Sequence, residues 1–430
     1  MSISIVILAA GKGSRMKSST PKVLHTISGK PMLFHTIDAA QKLSDDITVV
    51  LYHQAERVQK AIEENYTDIN FHLQDAEQFP GTGGAMKGVS TQYTKTLILN
   101  GDMPLITQAS LELLTTGDAD INMSVIRLDN PSGYGRVIID NGNVQEIIEE
   151  KDCTETQKMT QTVNAGIYCV ESSLLARYIP QLRNDNAQEE YYLTDIVKMA
   201  VEENLTVAPI YVAEEEFKGV NSKYDLANAE IMMQNRIKKS LMESGIIMQL
   251  PDTIFIDVRA SFEGECLLES GVSILGASQL INAHIKTHSV IEDAIIDHSS
   301  VGPMGRIRPQ THLVDTHIGN FVEVKKSTLK GVKAGHLTYL GDATIDEGTN
   351  VGAGTITCNY DGKAKYPTVI GKNVFIGSDT QLVAPVTIED DVMIGAGSTI
   401  TKNIKQGELA LSRAPLKTIS NFFYKFFGKK

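Results

Sequence analysis

Hydrophobic positions fall along this chain in two rhythms, and the change from one to the other divides it. In the first half, short apolar runs alternate with stretches of helical period: SIVILAA, then PMLFHTIDAAQKL, then ITVVLY, then QAERVQKAIEEN, and later TLILNGD. Strand–helix–strand alternation predicts a Rossmann-like α/β domain, a mainly parallel sheet covered by helices on both faces. In such sheets ligands sit beyond the carboxyl ends of the strands. Asp225 to Ser244 reads as one helix. Leu226, Ala229, Met233, Ile237 and Leu241 recur at three- and four-residue steps, and Gly245 can close the end. Such a helix is either a packed surface element or a connecting arm. Taken as a linker, it leaves residues 1–224 and 245–430 as separate domains.

From about Pro251 the rhythm is new. Ile370, Ile376, Leu382, Ile388, Ile394 and Ile400 stand six residues apart, with Val374, Val386 and Val392 on a second lattice of the same step. Ile295, Val301, Ile307 and Leu313 repeat it, as do Tyr339, Ile345 and Val351. A period of six suits neither an α-helix nor a two-faced strand. It predicts a parallel β-helix of hexapeptide repeats, in which three hexapeptides close a coil and one aliphatic side chain per side stacks inward. Thr357–Thr368 interrupts the lattice and reads as a loop thrown out of one coil.

Composition narrows the function. With 430 residues, 42% hydrophobic and 21% charged, the chain reads as a soluble globular protein of two or three domains. Its net charge of −12 argues against nucleic acid or an anionic membrane as partner, so local cations must hold any anionic ligand. Four scattered cysteines without a CxxC point to a reducing cytoplasm and no structural zinc site. No apolar run approaches the ~18 residues of a membrane span, and the N-terminal run reads as a first strand instead of a signal peptide.

The candidate chemistry begins at LAAGKGSRM, Leu8–Met16. Gly11 and Gly13 let backbone amides approach phosphate oxygens, and Lys12 and Arg15 add charge. Neither a third fingerprint glycine nor a Gly-Lys-Ser/Thr ending is present, so an ordinary strand-to-helix turn remains an alternative. Pro21-Lys22 brings a further cation. QFPGTGGAM, Gln78–Met86, offers a second glycine turn for a base or ribose. LILNGDMPL ends a strand on Asp102, either a turn cap or a magnesium ligand beside the phosphate loop.

Those motifs resemble the sugar-nucleotide pyrophosphorylases. With SGYGRVI, EEKD, NAGIY, GVNSK and the hexapeptide half added, the whole chain resembles the family of bifunctional N-acetylglucosamine-1-phosphate uridyltransferases and glucosamine-1-phosphate N-acetyltransferases. The resemblance implies that Leu8, Ala9, Ala10, Gly11 and Lys22 contact the nucleotide UTP. It implies that Gln74, Gly81 and Thr82 hold the uracil side and that Gly135, Glu149 and Asn164 line the sugar pocket. Asp102 and Asn221 would hold Mg²⁺, while Arg15 and Lys22 offset charge on the transferring phosphate. A sugar-phosphate oxygen would attack the α-phosphorus in line, a step that needs positioning and charge stabilisation more than a protein nucleophile. Ala165 stands where the family usually has threonine, and Gly84 where histidine is common.

In the second half, KAGHLTYLGD places His336 three residues before Tyr339. This half also holds His284, His288, His298, His312 and His317, and a solvated coil histidine is the plain alternative for His336. Its company argues otherwise: Arg306, Arg308, Lys325, Lys326, Asn350, Asn359, Tyr360 and Lys365 gather within a few coils of an acidic chain. A phosphorylated amino sugar needs cations for its phosphate and a base for its ammonium proton, which a neutral His336 can supply. Attack on a thioester would follow, with donors holding the oxyanion. The resemblance implies Arg308, Lys325, Tyr339, Asn350 and Lys365 as amino-sugar contacts, and Ala353, Asn359, Tyr360, Ser378, Ala396 and Arg413 as acetyl-CoA contacts. Here Met304 replaces a usual aromatic and Gln310 a usual glycine. The resemblance also implies a left-handed coil and a homotrimer with sites between subunits.

On this reading the chain acetylates glucosamine-1-phosphate and then couples N-acetylglucosamine-1-phosphate to UMP, making a cell-envelope precursor. Two other readings stay open from sequence: a pyrophosphorylase with a passive solenoid, and a nonenzymatic solenoid binding module. The tail NFFYKFFGKK reads first as an amphipathic terminus packed on the last coils, with a cover over the site or a contact with an adjacent subunit as the alternatives.

Overall fold

Six apolar-rich residues, Ile3–Leu8, form strand β1 at the centre of the first domain's sheet, where both of its faces are covered. The structure is a computed structural model that describes residues 2–148, 150–186 and 188–428. The other strands of this sheet are β2 (Asp46–Leu51), β3 (Ile69–Leu73), β4 (Lys95–Asn100), β5 (Ile121–Arg127), β6 (Arg136–Asp140), β7 (Asn143–Ile148), β8 (Thr162–Glu171) and β9 (Val207–Tyr211). Their order is β9-β5-β8-β4-β1-β2-β3, with the β6–β7 hairpin attached to β8 through Val163 and Arg136. All pairings along this path are parallel except those of β8, which runs antiparallel to both neighbours.

The alternation of β1 sets the two cores. Ile3, Ile5 and Ile7 face Leu33, Ile37, Val58, Ile62, Leu111 and Leu114 of three helices. Val6 faces the opposite way, into a core with Tyr178, Ile196, Val197 and Ala200. This two-sided covering is the expected α/β arrangement, with one antiparallel strand let into an otherwise parallel sheet.

Helix Lys223–Glu243 begins two residues before the expected start. Asp225 Oδ2 accepts hydrogen bonds from the backbone amides of Asn221 and Ser222 at 3.0 and 2.8 Å, which ties down its first turn. The chain's two compact units, Met1–Met233 and Gln234–Lys430, divide within this helix.

The second unit is a three-sided parallel β-helix, with stacks of ten, nine and eight short strands. Its repeat is consistent with the left-handed hand expected of hexapeptide coils. The late lattice faces inward as expected: Ile370, Ile376, Leu382, Ile388, Ile394 and Ile400 are all buried. Earlier the step of six holds at Val301, Ile307, Leu313, Ile345 and Val351, which are buried, and fails at the first member of each run. Ile296 and Leu340 fill the core, while Ile295 and Tyr339, expected inside, are only half-buried. The reason is coil length. The register steps from Leu267 to His284, Ser300 and His317, so these coils have seventeen or sixteen residues instead of eighteen, and some sides carry five. Corners recur at residues with positive φ, among them Asn282, Asp293, Met304, Gln310, Asp315 and Leu337. The interrupting loop is shorter than expected, because Thr357 and Thr368 both remain in strands.

The tail departs from expectation. Residues 411–428 are exposed, and helix Phe422–Phe426 is not packed on the coils. Its rings touch one another, with Phe423 and Phe427 centroids 4.8 Å apart. Among the described residues no helix is long and apolar enough to cross a membrane.

Candidate functional sites

The parallel strands β1, β2, β3 and β4 end together, and a cavity of about 750 Å³ opens beyond them. Hydrogen bonds align these ends: Ala9 N donates to Val50 O, Gln74 N to Leu51 O, and Gly101 N to Leu8 O, each at 2.9 Å. Leu8, Ala9, Ala10, Gly11, Lys22, Gln74, Gly81, Thr82, Asp102, Asn164 and Asn221 all line the cavity. These are eleven of the residues singled out from sequence. Gly135 lies just outside it, its carbonyl accepting from Asn164 N at 3.1 Å. Arg15 is exposed on the short turn Ser14–Met16 and is not among the lining residues. Glu149 lies outside the described residues.

The two glycines of the first loop do different work. A Cβ at Gly13, where φ is +60°, would stand 2.6 Å from Lys22 Cβ, so this glycine lets the loop sit against Lys22. A Cβ at Gly11 would meet no atom within 4 Å. The open space over Gly11 belongs to the cavity, and a ligand there could approach the bare backbone.

Lys22 Nζ donates to Asp102 Oδ2 at 2.5 Å and to Asn221 Oδ1 at 2.8 Å. Val220 N donates to the Asp102 carbonyl, which holds the Gly219–Asn221 segment against β4's end. A carboxylate and an amide oxygen thus converge on one cation, a hard-oxygen donor pair that suits Mg²⁺. Among the described residues no cluster of three or more His, Cys, Asp or Glu side chains is arranged for a metal. A divalent ion at this pair would therefore draw its remaining ligands from water and substrate oxygens.

Gln74 is buried and donates from Nε2 to Phe79 O at 2.9 Å and Gly81 O at 3.1 Å, shaping the second glycine turn. Thr82 Oγ1 accepts from Leu193 N. Gly84 is not among the lining residues. It is buried, and a Cβ there would lie 2.1 Å from the Phe79 carbonyl. Asn164 sits at a bulge in β8, donating to Tyr168 Oη at 2.7 Å and accepting from Gly166 N at 2.9 Å. Ala165 is packed into the core under the cavity floor. The sequence reading missed Tyr52, Tyr134, Phe217 and Lys218 in the lining. Tyr134 stands inside the quoted SGYGRVI and Tyr52 at the end of the quoted strand run ITVVLY.

In the β-helix, the second strand stack carries a cationic group. Lys325 lies beside Lys365 and near Arg308. Its pKa is lowered, first by its hydrogen bond with Lys365 and then by repulsion from Lys365 and Arg308. Arg308 pairs with Glu323 at 2.8 Å. The Tyr339 hydroxyl lies over Gly341, where a Cβ would stand 2.3 Å from it and 2.8 Å from Asn359 Nδ2. Asn359 donates to Asp342 Oδ2 at 2.5 Å. Three clustered cations, of which Arg308 is already paired with Glu323, make a candidate site for an anion.

His336 and Asn350 stand elsewhere, on the first strand stack. His336 is exposed at a coil edge, near His317, whose pKa is lowered by burial first and by Lys286, Lys333 and His336 after that. One chain therefore carries the expected amino-sugar residues as two groups on two faces. A third arrangement is a column. Ala353, Ser378 and Ala396 occupy equivalent corners of three successive coils, linked by Asp379 N to Ala353 O and Gly397 N to Ser378 O. Gly352 and Gly377 beneath it cannot carry a Cβ, which would come within 2.6 and 2.4 Å of the next coil's backbone. Arg413 folds back onto the column, its Nη2 3.1 Å from where a Gly395 Cβ would be. Tyr360, in the loop hairpin, is exposed and donates to Gly362 O.

Residues 5–149 match the MobA-like NTP transferase domain family, and residues 367–402 match the bacterial transferase hexapeptide (six repeats). The bifunctional protein GlmU of a Sulfurovum species is 71% identical over 430 residues, covering all of both chains. That of a Nitratiruptor species is 60% identical over 429 residues, again covering all of both. That of Aliarcobacter butzleri is 60% identical over 427 residues and 99% of each chain.

Proposed function

The chain belongs to the bifunctional GlmU family, whose members join a nucleotidyltransferase to a hexapeptide acyltransferase, and from that premise we propose how its own residues divide the work. It is a bifunctional enzyme of UDP-N-acetylglucosamine synthesis. It acetylates glucosamine-1-phosphate and transfers UMP from UTP to the N-acetylated product, releasing pyrophosphate.

Residues 1–224 carry uridylyl transfer, residues 225–244 link, and residues 245–430 carry acetylation. The observation that carries the first assignment is the convergence of Lys22, Asp102 and Asn221 beside the bare backbone of Gly11. The amides of the Leu8–Gly11 segment take the UTP phosphates. Asp102 and Asn221 would hold Mg²⁺, which when bound offsets phosphate charge. Lys22, and Arg15 from the neighbouring turn, stabilise the charge that builds on the α-phosphate. Gln74, Gly81 and Thr82 frame the uracil, and Gly135, Glu149 and Asn164 take the sugar.

In the second half Arg308, Lys325 and Lys365 take the amino-sugar phosphate, with Tyr339 and Asn350 on the ring hydroxyls. His336 accepts the amine proton, so that the free amine attacks the thioester of acetyl-CoA. The column of Ala353, Ser378 and Ala396, with Asn359, Tyr360 and Arg413, receives acetyl-CoA. The division of these residues between two faces of one chain supports a homotrimer, in which one subunit's His336 and Asn350 meet the next subunit's cations. Cytoplasmic residence is favoured by the cysteines, since Cys153, Cys169, Cys266 and Cys358 are all thiols, with no disulfide among the described residues.

Two assays test the reading on the full chain. Pyrophosphate release from UTP and N-acetylglucosamine-1-phosphate should require Mg²⁺. Thiol release from acetyl-CoA should require glucosamine-1-phosphate. No thiol release would reduce the solenoid to a scaffold, and no pyrophosphate release would remove the first assignment.

A further inference from the structure

Arg136 is the bulkiest of the fully buried side chains, only 2% exposed. It opens strand β6, beside Val163 of β8 and Ile148 of β7. Its Nη1 donates to the Tyr134 carbonyl and stands 3.9 Å from Glu150 Oε2. Its Nε is buried without a hydrogen-bond partner among the described residues. Burying a cation with incomplete partners is expensive, and an apolar side chain of like volume would fill the space at less cost. The reason to keep an arginine there must lie in what it holds.

What it holds is a wall of the cavity. Glu150, the other end of the ion pair, accepts a hydrogen bond from Gly133 N. Arg136 takes the Tyr134 carbonyl, and the Gly135 carbonyl takes Asn164 N. Three successive residues, 133 to 135, are thus each fastened from below or behind. Tyr134 itself lines the cavity, as does Asn164. Neither Arg136 nor Glu150 is among the lining residues.

We infer that Arg136 and Glu150 are positioning residues, a buried arginine and a half-exposed carboxylate that together set the Tyr134–Gly135 wall against the sugar of the sugar-phosphate substrate. This rests on the uridylyl-transfer reading of the cavity. A pair acting only on sugar placement should leave the nucleotide side, built from β1 to β4, unaffected.

The test is steady-state pyrophosphate release by the full chain, varying each substrate in turn, for Arg136→Met, Arg136→Lys and Glu150→Ala. Arg136→Met and Glu150→Ala should raise the KM for N-acetylglucosamine-1-phosphate roughly tenfold, with the KM for UTP moving less than about twofold. Arg136→Lys, which keeps the charge and one donor for the Tyr134 carbonyl, should recover part of the loss. Equal rises in both KM values, or no rise in either, overturn the inference. If Arg136→Met fails to fold, Glu150→Ala decides alone, since the Glu150 side chain is 35% exposed and its truncation opens little of the core. A wild-type chain that releases no pyrophosphate overturns the reading of the cavity and this inference together. A normal wild type with unmoved variants overturns the inference only.

Discussion

The ammonium of Lys22 is held 2.5 Å from the carboxylate of Asp102, eighty residues away in the chain. That pair joins the loop after β1 to the end of β4. Asp102→Ala removes the carboxylate and leaves Lys22 with Asn221 alone. It is expected to abolish pyrophosphate release and to leave acetyl transfer nearly intact, because Asp102 lies in the first unit and the residues assigned to acetylation belong to the second. Parallel assays of pyrophosphate and CoA on one preparation check this. Equal loss of both would show that the two reactions are not independent.

His336→Ala should show the opposite pattern. Losing a general base costs roughly 10²–10⁴-fold, so CoA release should fall by that factor while pyrophosphate release holds. His336 is exposed, so its truncation leaves the core of the coil intact, and circular dichroism on the variant checks this.

Gly341 offers a finer probe. An alanine there places its Cβ 2.3 Å from the Tyr339 hydroxyl, the free end of a side chain, so the ring should shift while the coil survives. The expected result is a KM for glucosamine-1-phosphate raised roughly tenfold, with the melting temperature little changed. An unaltered KM would remove Tyr339 from the amino-sugar contacts.

His35 gives the first domain an acid-sensitive element. Burial is the main cause that lowers its pKa below 6.5, and the neutral ring holds the Ile27 carbonyl through Nε2 at 3.0 Å. The unfolded chain takes up the proton more readily. Stability from this residue is therefore complete above the unfolded pKa and lost as the pH falls toward the folded one. His35→Gln keeps a donor and cannot protonate. It should flatten the fall in urea midpoint between about pH 7.5 and about pH 5.5; an unchanged slope would assign the acid lability to other groups.

Much of this architecture is legible in the residues. Strand β1 and its glycine loop are marked by an apolar run ending on Gly11, and the late coils by isoleucines in step. Legibility fails where geometry is not written locally. Coils of sixteen and seventeen residues slide the inward position by one and carry Ile295 and Tyr339 out of the core, because a single five-residue side looks like noise against a period of six. Gln310 stands out in the sequence only as a departure from glycine. The structure explains the preference, since φ is +63° there, a conformation glycine adopts without strain. Counting the corner asparagines and aspartates together with the glycines would locate these sides. Phe217 and Lys218 reach the cavity from a distant segment, and no local pattern marks them. The tail's aromatic run suggests burial, yet its rings face one another instead.

Each coil of the β-helix leans only on the one below and the one above. The turns from Leu267 to Ser300 carry none of the residues assigned to acetyl transfer, which begin at Arg308. They are vertebrae of a spacer, and a spacer can be resized in whole units. Excising the seventeen residues from Leu267 to Ala283 would bring His284 into the place of Leu267 and keep every later stack in register. Evolution and protein engineers alike can thus treat the length of this rod as an adjustable dimension, separate from the chemistry mounted beyond it.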